Sequence, residues 1–280
     1  MKNMARYLSR ALPFLGVLVL GILGATPADA SHSWGPYHWA RTSNSFTLKV
    51  VDSMTPLWDP YLVIATTDWS DSTVLDTVIE AGNDDNSTRK KCAAPTGKVR
   101  GCNAAYGYNG WLGLAQIWVS GSHIVKGVSK MNDSYFNTTT YNTPAWRQMV
   151  VCQEPGHTLG LGHQDEKFDN ANLGSCMDYT NDPDGTIKGQ LSNKHPNDHD
   201  YVQLETIYSS HLESATTSSS GRGNGHGNAP DDLPAGVDEH GLPPWASPAH
   251  GDVYEVDLGN GVRLITHVFW VRGDLPGARP

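Results

Sequence analysis

One stretch constrains this chain more than any other: Val151-Cys152-Gln153-Glu154-Pro155-Gly156-His157-Thr158-Leu159-Gly160-Leu161-Gly162-His163-Gln164-Asp165. Its front half reads as an amphipathic helix that ends at a glycine. Gln153 and His157 are four apart and share one helical face, with Glu154 on the flank. His163 lies beyond the last turn. Gly160 is suited to the left-handed conformation that stops a helix, and the chain then swings His163 back towards His157. Two imidazoles, one carboxylate and one amide oxygen therefore converge on a small volume. That is a metal site with a base beside it.

The helix is expected to begin at Thr143-Pro144, with threonine as N-cap and proline at the first helical position. Trp146, Val150, Gln153 and His157 then fall on one stripe, as a half-buried helix requires. Pro155 removes a backbone donor and crowds the carbonyl of Val151, which costs about 3 kcal/mol in a regular helix and predicts a kink or bulge.

The stretch resembles the metzincin zinc peptidases, whose signature is H-E-x-x-H-x-x-G-x-x-H followed by a Met-turn. Glu154, His157, Gly160 and His163 fall on their positions, and Gly174-Ser175-Cys176-Met177-Asp178-Tyr179 matches the Met-turn. The His163-Gln164-Asp165 ending is most similar to the matrixin branch. One position departs, because Gln153 stands where the family has its first histidine. The resemblance implies an α+β fold with a twisted mixed sheet, an active-site helix, a Met-turn and a closing C-terminal helix. It implies zinc held by Gln153, His157 and His163, with Glu154 as general base and acid, Met177 supporting the ligands from below and Gly160 turning the chain. Tyr179, two after the methionine, would lie near the metal and help stabilise an oxyanion, or simply pack. The implied substrate is an extended polypeptide.

An amide oxygen is a poorer zinc donor than imidazole. Three outcomes follow for position 153. Gln153 is a true third ligand; or another residue completes the site, from the stock of His123, His195, His199 and His211; or the site is degenerate and the fold serves as a catalytically inactive binding module. The presence of Glu154 favours an enzyme, since a silent site has no chemical use for that carboxylate.

Residues 1–30 read as a secretory signal peptide. Lys2, Arg6 and Arg10 precede a nearly continuous apolar run, and Ala28-Asp29-Ala30 is a small-x-small cleavage site. The expected protein is secreted and extracellular. The formal net charge is −9, and the basic leader leaves the rest more acidic still. No basic patch recommends a nucleic acid, and no later apolar run is long enough for a membrane span. A monomer is expected. Four cysteines in an exported chain suggest two disulfides, with three pairings open on paper. The resemblance favours Cys92–Cys102 and Cys152–Cys176, because it places the Met-turn beneath the metal helix.

Residues 45–51 read as a strand, 57–69 as a helix with Trp58, Leu62, Ala65 and Trp69 on its buried face, and 74–79 as a second strand. Residues 81–108 read as a polar loop. Two further strands are expected at 112–119 and 124–131. The resemblance makes 112–119 the sheet edge that pairs with extended substrate. Residues 181–194 form a polar loop whose Asp182 and Asp184 could hold Ca2+, although turn residues of this kind are common without an ion. A closing helix follows at 196–208. The domain body is expected over 31–213, a Ser/Gly-rich linker over 214–236, and a C-terminal segment over 237–280. In that segment, 252–258 and 262–271 alternate around Gly259-Asn260-Gly261, a hairpin signature. An isolated hairpin is marginal in water, so this one should dock on the body or on a partner.

Overall fold

The structure, a computed structural model, describes residues 31–209, 212–213 and 233–272. The expected leader (1–30) and most of the expected linker lie outside the described residues. The eight strands are β1 (His38–Trp39), β2 (Phe46–Ser53), β3 (Leu75–Ala81), β4 (Val99–Ala104), β5 (Trp111–Ser120), β6 (His123–Asn132), β7 (Val253–Asp257) and β8 (Val262–Trp270). They form one sheet in the order β3-β2-β4-β6-β5-β8-β7, with the short β1 paired to β6. Pairings among β1, β2, β3, β4 and β6 are parallel. Those of β5 with β6 and β8, and of β7 with β8, are antiparallel. The architecture is thus a mixed sheet with few helices: α1 (Asp59–Trp69), α2 (Asn86–Lys91), α3 (Asp133–Phe136), α4 (Pro144–Thr158) and α5 (Asp198–Tyr208). No helix among the described residues is long and apolar enough to cross a membrane.

Helices α1 and α4 cover one face of the sheet. The main core lies between them and includes Trp58, Leu62, Trp69, Ile117, Val150, Val151, Ile265 and Phe269. The opposite face carries two smaller clusters. One joins Trp118 and Leu264 to Cys92 and Cys102, and the other joins Trp111, Leu114 and Val268 to Leu242 and Tyr254. Alternation along a strand explains the division, because Ile265 and Phe269 point to the helix side while Leu264 and Val268 point away.

The polar stretch after β3 holds more regular structure than its composition suggests. Asp85 caps α2 by accepting from the N–H groups of Ser87 and Thr88. The following segment forms β4, whose residues other than Arg100 are buried between β2 and β6 despite the sequence Val-Arg-Gly-Cys-Asn-Ala. Cys92 and Cys102 are joined, as are Cys152 and Cys176.

The expected substrate edge needs correction. Strand β5 has no free edge, since β6 pairs with one side and β8 with the other. The C-terminal hairpin is therefore not an appendage resting on the body but two strands of the same sheet. Its physical reason is the apolar content of β8, which is buried from Leu264 to Phe269.

Candidate metal centre

Helix α4 starts as its sequence dictates. Thr143 accepts from the N–H of Trp146 at 3.2 Å, and Pro144 opens the first turn. The helix runs through Pro155 to Thr158 without leaving helical geometry. The side chain of Thr158 donates back to the carbonyl of Pro155 at 2.7 Å. Gly160 then adopts φ +97°, and a Cβ there would meet the carbonyl oxygen of Tyr37 at 2.5 Å, so only glycine fits. The turn returns His163 to His157, with ring centroids 4.7 Å apart.

The segment matched to a Met-turn, residues 174–179, lies against this return. Gln164 N–H donates to the carbonyl of Met177 at 2.7 Å, and Tyr179 N–H donates to that of Asp165 at 3.0 Å. Met177 is fully buried in the core with Val151 and Trp69. The Cys152–Cys176 disulfide ties the residue before Gln153 to the residue before Met177. Asp200, in the first turn of α5, braces the turn from outside by accepting from Ser175 Oγ at 2.6 Å and Gln164 Nε2 at 2.7 Å.

A third histidine joins the pair from the far end of the chain. His267, in the middle of β8, places its ring centroid 3.8 Å from that of His157, tilted against it, and 4.6 Å from that of His163, edge-on. One ligand atom from each of His157, His163 and His267 lies within 4.8 Å of the others. Glu154 Oε2 is 3.5 Å from His267 Nδ1. On the other side of that ring, Nε2 is 3.1 Å from the hydroxyl of Tyr179, whose proton is donated to Asp252 Oδ2 at 2.9 Å. Trp34 packs edge-on to His157 and His267. The cluster is sealed, with Glu154, His157 and His267 at most 1% exposed.

The donor atoms fit a metal. His157 Nδ1 faces the carbonyl oxygen of Leu161 at 2.8 Å, which requires the proton on Nδ1 and leaves the Nε2 lone pair free. The Nε2 atoms of His157 and His163 are buried without a hydrogen-bond partner in the protein, as is Glu154 Oε1. Orphaned buried polar atoms are rare and call for a missing partner. Burial lowers the pKa of His157 well below the ordinary histidine value, and the neighbouring His267 and His163 lower it further. Burial also lowers that of His163. Both rings are then neutral, the form that ligates metal.

The remaining groups hold unlike charge states. Burial raises the pKa of Glu154, with His267 holding it back in part. Burial opposes a charge on His267, but the carboxylates of Asp252 and Glu154 outweigh it and raise its pKa to about 9. Burial likewise works against the Asp252 carboxylate, yet His267, His163 and Tyr179 hold its pKa far below the usual range. Burial, then Asp252, raises the Tyr179 hydroxyl well above the ordinary value, so it stays a donor.

Of the residues singled out from sequence, Glu154, His157, His163 and Tyr179 come together here. Gln153 donates its Nε2 to the carbonyl of Cys176 at 2.8 Å, and its Oε1 is buried without a partner. The stock of alternative histidines does not supply the third ring. His123 pairs with Glu213, His195 with Asp68, and His199 stacks on His32, while His211 lies outside the described residues. Asp182 and Asp184 cap local turns, accepting from Lys188 N–H and Thr186 N–H respectively. They belong to none of the His/Cys/Asp/Glu donor clusters found among the described residues. Sequence reading missed His267 and Asp252. Nothing in the spacing marks a single histidine within Leu-Ile-Thr-His-Val-Phe as a ligand rather than a buried strand residue.

No protein-family model matches the chain. No curated protein matches it either. Among solved structures, the chain is similar to high choriolytic enzyme 1, a hatching enzyme zinc-protease from Oryzias latipes (medaka fish). The identity is 12% and the TM-score 0.34, over 61% of this chain and 94% of that one. A likeness of that size carries no argument about this chain.

Proposed function

We propose that this protein is a secreted, zinc-dependent endopeptidase of metzincin type, with His157 and His163 holding the metal and Glu154 acting as general base and acid. One observation carries the reading: two neutral imidazoles and a carboxylate present buried, unpartnered atoms in one cluster. Leaving such atoms unsatisfied costs several kcal/mol in sum, which metal ligation would remove. Bound zinc supplies a Lewis acid that acidifies water and polarises a scissile carbonyl. The raised pKa of Glu154 suits it to take a proton from water and to hold it for the leaving amine. Tyr179, protonated and beside the cluster, is placed to donate to a developing oxyanion once its bond to Asp252 is given up. The substrate would be an extended polypeptide, and it would reach the centre only when the hairpin shifts, because β5 is paired on both sides.

The test is casein hydrolysis by the full chain, beside Glu154→Gln and with a chelator. The expected outcome is hydrolysis by the natural protein, stopped by chelation, and at least about a hundredfold lower kcat in Glu154→Gln with zinc content unchanged. Full activity in Glu154→Gln would remove Glu154 from the mechanism.

A second reading has one observation in its favour. The centre is closed to solvent and the strand edge is filled, as in a structural zinc site within a binding module. A zinc-loaded natural chain that leaves casein intact would select it.

A further inference from the structure

The family pattern lacks its first histidine at Gln153, and the structure offers a replacement from the opposite end of the chain. His267 is one of three histidines whose ligand atoms cluster within 4.8 Å. Its placement is not incidental to the fold. In the β5–β8 register Ala115 faces His267, and the neighbouring pairs are Ile117 with Ile265 and Gly113 with Phe269. Ile265 and Phe269 belong to the core beneath α4, so alternation along β8 turns His267 towards α4 between two apolar anchors. A slip of one residue would present Thr266 or Val268 instead and would turn both anchors away from the core beneath α4, so the apolar pattern fixes the histidine over the site. Partners hold the ring from either side. Tyr179 and Asp252 stand beside Nε2, and Glu154 beside Nδ1. Without metal both ring nitrogens thus have partners, so ligation requires one of them to exchange its partner for the ion while the other keeps its carboxylate, the contact that orients metal-ligating imidazoles. Asp252 belongs to the same hairpin, and its carbonyl accepts from the N–H of Val268 at 2.8 Å.

Gln153 is the competing donor. Its amide nitrogen is committed to the carbonyl of Cys176, which makes it a bolt between α4 and the Met-turn. Its oxygen is buried and unpartnered, so the experiment must separate the two residues.

We infer that His267 is the third metal ligand, and that the C-terminal hairpin is therefore half of the metal centre rather than an accessory. The inference rests on the reading that His157 and His163 bind metal, but not on whether the centre is catalytic. Because His267 arrives on a strand more than a hundred residues after α4, metal loading and hairpin docking stabilise each other. Zinc clamps β8 to α4 and the return that follows it, and an undocked hairpin leaves a two-histidine site.

The test uses the full chain and two probes, zinc by chelator competition and Co2+ by its visible spectrum. Natural protein is compared with His267→Ala and Gln153→Ala, and amide exchange of β8 is followed with and without zinc. The expected result is one metal per chain and at least about a hundredfold weaker zinc binding in His267→Ala. The Co2+ spectrum should change with it, and Gln153→Ala should stay within a few fold of the natural protein. Zinc should slow exchange across β8 in the natural protein and not in His267→Ala. An affinity and spectrum in His267→Ala equal to those of the natural protein would overturn the inference, as would a loss in Gln153→Ala as large as that in His267→Ala. Misfolding of the alanine variant is bypassed by imidazole nitrogen resonances of the natural protein. Three histidines shifting on zinc loading supports the inference, and two overturns it. Failure of the natural chain to bind either metal would bring down the metal-centre reading itself, a result distinct from a site that binds metal without His267.

Discussion

At the scale of single residues, two positions beside the site have measurable consequences. Gly113 of β5 stands where Glu154 comes up to the sheet. A Cβ there would lie 2.5 Å from Glu154 Oε1 and 2.7 Å from Val150 Cγ1. Gly113→Ala must therefore displace both the buried carboxylate and Val150. The expected result is a fall in kcat of roughly a hundredfold together with a lower Tm, since small misplacements at reacting groups are costly to rate and overpacking a closed core is costly to stability. Asp178 follows Met177 and is fully buried, accepting through Oδ2 from Leu173 N–H and Asn193 Nδ2, both at 2.8 Å. Burial raises its pKa from 3.8 to about 6. Between those values the folded chain keeps a proton that the unfolded chain has released, so folding stability falls as pH rises from about 4 through about 6. The penalty is complete above that window and is no more than about 3 kcal/mol. Asp178→Asn should flatten this part of the pH–stability profile, measured by denaturant unfolding of the metal-free chain. An unchanged slope between pH 4 and 6 would show that Asp178 does not titrate there.

At the scale of elements, the hairpin is the part whose role differs most from its appearance in the sequence. Its turn uses three successive residues with positive φ, Gly259, Asn260 and Gly261, a pattern that the Gly-Asn-Gly sequence announces. Its destination was not announced. Strand β8 takes the place along β5 that the metzincin resemblance assigns to substrate. If peptide entry requires the hairpin to shift, a cross-link should prevent it. Ser120 and Val262 face each other at one end of the β5–β8 pair. The oxidised Ser120→Cys, Val262→Cys protein should bind zinc as the natural protein does and lose casein hydrolysis, while each single variant keeps it. Hydrolysis by the cross-linked chain at the natural rate would mean that peptides enter without moving the hairpin.

At the scale of the whole molecule, the centre draws on α4, the return through His163, the Met-turn and the hairpin, with α5 bracing the turn through Asp200. A metal that joins distant segments in the folded state alone stabilises the whole domain. Zinc at a hundred times its dissociation constant should add about 2.7 kcal/mol. For a domain of this size that is a rise in Tm of roughly 5–10 °C, reversed by chelator. No shift on chelation would show that the metal does not bridge these segments.

The sequence by itself determined the local parts. The Thr143-Pro144 start, the Gly160 stop, the strands expected at 45–51 and 124–131, the closing helix at 196–208 and the hairpin turn follow from short-range rules of periodicity, capping and backbone freedom. So do the placements of Glu154, His157 and His163 on one short segment, where the helix and the Gly160 turn after it bring them together. Strand β4 was hidden because its arginine, glycine and asparagine read as loop, and only its position between two neighbours makes it a strand. Tertiary structure alone decided that β5 has no free edge and that His267 and Asp252 stand beside His163. Strand pairing is made between segments far apart in sequence, and no local pattern records which edge a hairpin will join. The physical cause is the apolar content of β8, which is buried against β5 and the core beneath α4, and in docking there β8 carries a histidine beside His157 and His163.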